Sequence, residues 1–147
     1  MSRIFWVHDE CLHRPADLAA GDRWVYIWDA DYIADQAWSL KRQVFLYETL
    51  CALAEQGCEV VGGETVTVMK NTAFQAGDWV TECAQDPVLQ ALMARAQCVL
   101  PRLKILFPPG LVDSSVPLPL RRFFPYWKTV EPLLLGARRT ETHHRVR

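Results

Sequence analysis

The stretch from Lys41 to Glu64, KRQVFLYETLCALAEQGCEVVGGE, leaves few folds open. Leu40, Val44, Tyr47, Cys51 and Ala54 alternate at steps of four and three residues, which sets them on one helical face. Leu46, Leu50 and Leu53 widen that stripe, and the whole of it is expected to face a core. Gly57 follows the last turn and suits a left-handed C-cap. Glu59-Val60-Val61 is then a brief β-branched run, closed by Gly62-Gly63. A long helix feeding a short apolar strand is the second half of a βαβ unit.

The flanking segments keep the same rhythm. Arg3 to Val7 (RIFWV) is apolar without alternation, as expected of a strand buried on both faces. Trp24 to Trp28 (WVYIW) is a second such strand, closed by Asp29-Ala30-Asp31. Tyr32 to Trp38 joins it to the helix and gives no periodic signal. Thr65 to Ala76 begins with a strand-like alternation, yet a crossover helix is expected there to keep the α/β order. Trp79 to Cys83 follows as the fourth strand. Asp86 and Pro87 make a good N-cap and first helical residue for a helix to about Gln97. Leu103 to Phe107 is the fifth strand, stopped by Pro108-Pro109-Gly110. The expected fold class is therefore α/β, a three-layer α/β/α Rossmann-like fold. Its five-stranded sheet is mostly parallel, in the order 3-2-1-4-5. We expect this domain over residues 1–112, with a Pro- and aromatic-rich extension and basic tail over 113–147.

Charge and composition remove several functions. The formal net charge is -1, so there is no global basic field for nucleic acid. The basic cluster of Arg121, Arg122, Lys128 and the tail reads as solvated. No run approaches a membrane span, and the N-terminus lacks the features of a signal peptide. The five cysteines form no CxxC pair, consistent with reduced thiols and a cytoplasmic location. No Ser-His-Asp or Cys-His arrangement, phosphate loop or metal-ligand spacing is present, so no catalytic residue or metal ligand is assigned.

Parallel sheets bind ligands at the carboxyl ends of their strands. That places His8, Asp9 and Glu10 at a mouth, with Asp29 and Asp31 beside them, Glu82 across the switch point and Glu64 near the edge. Acids there hold ribose hydroxyls or ring N–H groups; equally, strand ends are polar because they meet water. Lys41 and Arg42 start the central helix against its dipole, a cost of ~0.3–1 kcal/mol that an anionic ligand, or Asp29 or Asp31, would offset. Trp6, Trp24 and Trp28 are expected in the sheet faces. Phe123, Phe124, Tyr126 and Trp127 form an aromatic segment that is either an interaction surface or the buried side of a terminal helix.

The order of these features resembles the N-terminal α/β domain of the DNA photolyase and cryptochrome family. Ile4 to Glu10 stands where the family has an apolar strand and an Arg-Arg-Asp signature. Trp24 to Asp29 is similar to its second strand, which also ends in Asp. Lys41-Arg42 with Phe45-Leu46-Tyr47-Glu48-Thr49-Leu50 resembles its basic residue and "FL-ES-L" helix. Leu106 to Gly110 and Phe124 to Lys128 resemble its "L-PP" and "F-P-F-W/Y-K" segments. His8 and Asp9 depart from the two arginines, and only the acid, Glu10, survives. The resemblance implies a non-catalytic or antenna-type module that holds a flavin, deazaflavin, folate or nucleotide, without the helical FAD domain and without repair activity of its own. It also admits a protein–protein interaction module or homo-oligomer built on Phe123 to Trp127, or a subunit of a split photolyase.

Overall fold

The computed structural model describes residues 2–71, 74, 77–107 and 123–141, the last nine as backbone only. The chain divides into two units, Met1–Phe107 and Pro108–Arg147, each described by itself.

The first unit is built on β1 (Arg3–Val7), which lies at the centre of a five-stranded sheet. It pairs in parallel with β2 (Arg23–Trp28) on one side and β4 (Asp78–Glu82) on the other. The outer strands, β3 (Glu59–Gly62) and β5 (Lys104–Leu106), are parallel too. The order is 3-2-1-4-5, as expected, and every pairing is parallel. All five strands lie within a residue of the ends expected from the sequence.

Strand alternation divides the core into two layers. Phe5, Val7, Trp24, Tyr26 and Val80 point to one face and pack with Leu46, Leu50 and Leu53 of α2 (Leu40–Glu55). Ile4, Trp6, Val25, Ile27 and Trp79 point to the other. There they meet α3 (Thr65–Lys70) and α4 (Pro87–Val99) through Val68, Met69, Leu89 and Leu92. A short α1 (Ala30–Asp35) occupies the connector that showed no period. At six residues it is too short to display one.

Two expectations change, and one holds against the local propensity. First, α2 does not bury the stripe that the spacing singled out. Leu46, Leu50 and Leu53 face the sheet, while Leu40, Val44 and Tyr47 are 75%, 46% and 62% exposed. Cys51 and Ala54 are exposed with them, so Cys51 is not a core residue. Second, the crossover helix expected from Thr65 is present, despite the strand-like alternation of Thr65 to Val68. Glu64 accepts from the Thr67 N–H, and Asp29 Oδ2 accepts from both the N–H and the hydroxyl of Thr65. Satisfied first-turn donors outweigh β-branched propensity. Third, this helix ends at Lys70 rather than running to Ala76.

Gly57, at φ +96°, supplies the left-handed C-cap expected after α2. Gly77 lets β4 start close to β1. A Cβ there would lie 2.9 Å from the Ser2 carbonyl oxygen and from Ile4 Cγ1. No helix among the described residues is long and apolar enough to cross a membrane.

In the second unit the described element is α5 (Phe123–Glu141). Pro125 falls in its first turn, where a missing N–H costs nothing, and Pro132 lies inside it. Residues 108–122, which include the first part of the extension expected over 113–147, and residues 142–147 of its tail lie outside the described residues.

Candidate functional site at the carboxyl edge of the sheet

Strand order reverses between β1 and β4, and protein groups fill that switch point. His8 follows β1 and is buried. Its Nδ1 accepts from the Glu10 N–H at 3.3 Å, so Nε2 carries the proton and donates to the Glu82 carbonyl at 3.1 Å. Burial lowers its pKa from 6.5 and keeps the ring neutral, against the opposing pull of the Glu82 hydrogen bond and the nearby acids. The Glu10 carboxylate accepts from the Gln85 and Asp86 N–H groups at 2.6 and 2.8 Å and ties the β1 exit to the loop before α4. Glu82 reaches His13, with Nε2 and Oε1 3.4 Å apart. What space remains is small. About 10 Å³ lies between His8, Tyr26 and Tyr32, and about 80 Å³ between Cys11, His13 and Thr81. Neither holds a bicyclic cofactor.

The remaining predicted acids serve the scaffold as well. Asp29 is buried. It caps α1 through the Tyr32 N–H and α3 through Thr65, and these bonds hold its carboxyl below the ordinary range despite desolvation. The Tyr32 hydroxyl donates to Asp9 at 2.8 Å and accepts from Gln36 Nε2, which also donates to Asp86. Glu64 caps α3 and pairs with Arg95 at 3.0 Å. Between α1 and α4 a groove of about 300 Å³ is lined by Asp29, Asp31, Asp35 and Glu64, with Arg95 the cation. That charge repels phosphate. No cluster of potential metal ligands occurs among the described residues.

Lys41 and Arg42 do not meet Asp29 or Asp31; no ion pair joins them among the described residues. Arg42 lies over the Trp38 ring instead, its guanidinium carbon 5.2 Å from the centroid. Trp38 also lines a cleft that no sequence signal marks. The cleft holds about 330 Å³ at the carboxyl end of β2 and is lined by Trp28, Ile33, Ala37, Trp38 and Gln43. Both tryptophans are half-buried. Trp38 is held on three sides. Gln43 Nε2 donates to its carbonyl at 3.1 Å, Tyr32 meets its ring edge-on at 6.0 Å, and Arg42 covers a face. Ala37 turns the chain from α1 into α2 with φ +48°, the described non-glycine residue at positive φ.

No protein-family model, no curated protein and no solved structure matches this chain.

A larger cavity, about 650 Å³, lies at the opposite end of the sheet between Met69, Phe74, Trp79, Leu100 and Leu103. It sits at the amino ends of β4 and β5, away from where parallel sheets take ligands. The Trp79 indole N–H is buried and has no hydrogen-bond partner among the described residues. In the second unit, Phe123 stacks on Trp127 at 6.1 Å and meets Phe124 edge-on at 5.8 Å. Tyr126 is on the same helix, and Phe123 and Phe124 are exposed.

Proposed function

We propose that this chain is a non-catalytic binding domain of the photolyase and cryptochrome type. It takes a planar heteroaromatic chromophore, a flavin, deazaflavin or folate, at the carboxyl edge of its sheet. The observation that carries the reading is the cleft walled by Trp28 and Trp38, with the Arg42 cation stacked on the Trp38 ring. Two indoles offer flat apolar surface for a fused ring, and a guanidinium offers a partner for a phosphate or carboxylate tail. The filled switch point and the acidic groove favour this cleft over the mouth at His8. Trp38 and Trp28 would hold the ring, and Arg42, with Lys41 beside it in the first turn of α2, would hold the tail. When bound, such a group supplies light absorption; this chain's residues supply position and exclusion of water.

The test is absorbance of the purified full chain beyond its tryptophan band. Titration with riboflavin, its monophosphate and folate follows, read by quenching of tryptophan fluorescence. Trp38→Leu is expected to weaken binding about tenfold for every ligand. Arg42→Ala is expected to weaken, by a similar factor, only those with an anionic tail. A colourless protein that none of the three ligands quenches overturns the reading.

A further inference from the structure

The exposed stripe on α2 has the spacing of a helix-pairing seam. Leu40, Val44, Tyr47, Cys51 and Ala54 alternate at four and three residues over two heptads, and all five face outward. The flanking face, about a third of a turn away, packs on the sheet through Leu46, Leu50 and Leu53, and the stripe itself stays outside that core. Beside the seam runs a column of charges one heptad apart, Lys41, Glu48 and Glu55, all exposed.

The sign of these charges is informative. The first turn of α2 carries Lys41 and Arg42 with no acid, and the last turn carries Glu55 with no base. Both ends oppose the helix dipole, so a favourable helix dipole does not explain their placement. A second α2 running antiparallel supplies what each end lacks. Its anionic carboxyl end then lies beside the cationic amino end, twice over by symmetry. In that register Lys41 faces Glu55 of the second copy, Tyr47 lies near the two-fold axis, and Glu48 approaches its own symmetry mate. A parallel pair would instead set Lys41 and Arg42 beside their own copies and align the two dipoles.

We propose that α2 docks antiparallel on α2 of a second copy of this chain, about a two-fold axis near Tyr47. The seam supplies the apolar contact, and the Lys41–Glu55 pairs set direction and register. The dimer needs no ligand in the cleft; Lys41 is shared with the proposed tail site, so Glu55→Lys and Val44→Lys, which leave that site intact, test the dimer apart from it.

Sedimentation of the full chain over a concentration series tests it. A reversible monomer–dimer equilibrium is expected. Lys41→Glu or Glu55→Lys alone should weaken it about tenfold, while Lys41→Glu with Glu55→Lys should restore it to near the starting value. Glu48→Gln should tighten it by removing the like-charge contact at the axis. All three positions are exposed, and far-UV circular dichroism checks that the variants keep their fold. Val44→Lys gives a second, apolar disruption. A monomer at every concentration overturns the proposal. So does a monomer whose Cys51 resists a thiol reagent, which would mean that the chain's own residues cover the face. So does a dimer indifferent to the charge swap. Direction has its own check. In the antiparallel register the two Cys51 residues stand roughly 10 Å apart along the axis, beyond disulfide reach. A Cys51–Cys51 disulfide formed on mild oxidation and identified by mass spectrometry would mean a parallel pair and overturn the register.

Discussion

His8 shows how a titratable residue becomes part of the scaffold. Its two ring nitrogens are committed in opposite senses, one accepting from Glu10 and one donating to Glu82. A second proton would set a donor against the Glu10 N–H. The folded protein therefore binds that proton only at a pH below 6.5, whereas the unfolded chain takes it up near 6.5. The contribution of His8 to stability is complete above 6.5 and is lost as pH falls from there toward the folded value. The thermal midpoint should drop as the pH is taken from about 7.5 to about 5.5. His8→Gln should lower the midpoint overall and flatten its slope across that window. The carboxylates with depressed pKa values, Asp22 (near 2, held by Arg3), Asp29, Glu59, Glu64 and Asp86, lose their contributions further down, as pH falls below the ordinary carboxylate range. The two windows separate in a pH scan. A midpoint flat from neutral to mildly acidic pH in the parent chain would contradict the assignment of a neutral His8.

Among the elements, the strands were the most legible in the sequence, for a physical reason. A strand covered on both faces must be apolar throughout, so RIFWV and WVYIW stand out from any neighbour. Asp86-Pro87 likewise announced the start of α4, because an acceptor followed by a residue without an N–H suits only that place. The orientation of α2 was not legible. Both of its faces carry large apolar residues, and periodicity finds a stripe without saying which way it points. Aliphatic substitutions separate the faces. Leu50→Ala removes a side chain buried against Phe5, Trp24 and their neighbours and should cost about 2–5 kcal/mol in denaturant unfolding. Leu40→Ala, on the exposed face, should stay within about 0.5 kcal/mol. Equal losses would mean that the outer stripe packs as tightly as the inner one. The roles of Asp29 and Glu64 as caps were also hidden, since each depends on where α1 and α3 begin.

At the scale of the whole first unit, the sheet order was legible and the candidate site only in part. The order follows from the βα rhythm, and with it the carboxyl edge on which ligands gather. The residues at that edge were named correctly by position, yet most of them are engaged in holding the loops together. His8 and Glu10 close the switch point, Asp29 joins two helices to β2, and Tyr32 links Asp9 to Gln36. The Trp28–Trp38 cleft was invisible because it exists only through the reversal at Ala37. A left-handed alanine is destabilising by ~1–2 kcal/mol, and nothing in composition marks where a chain will adopt it.

That reversal has a wider reach than the cleft. It sets the angle at which α2 departs from the end of α1, and so aims the indole wall and the outer stripe together. A single backbone dihedral thus acts as a shared hinge pin for two surfaces with separate tasks. Ala37→Gly relieves the steric penalty but frees the unfolded chain, so global stability should change by less than about 1 kcal/mol. The aim of α2, by contrast, should loosen. Trp38 fluorescence should broaden and shift, and both chromophore quenching and self-association should weaken in the same variant. Should only one of the two respond, the surfaces are steered separately.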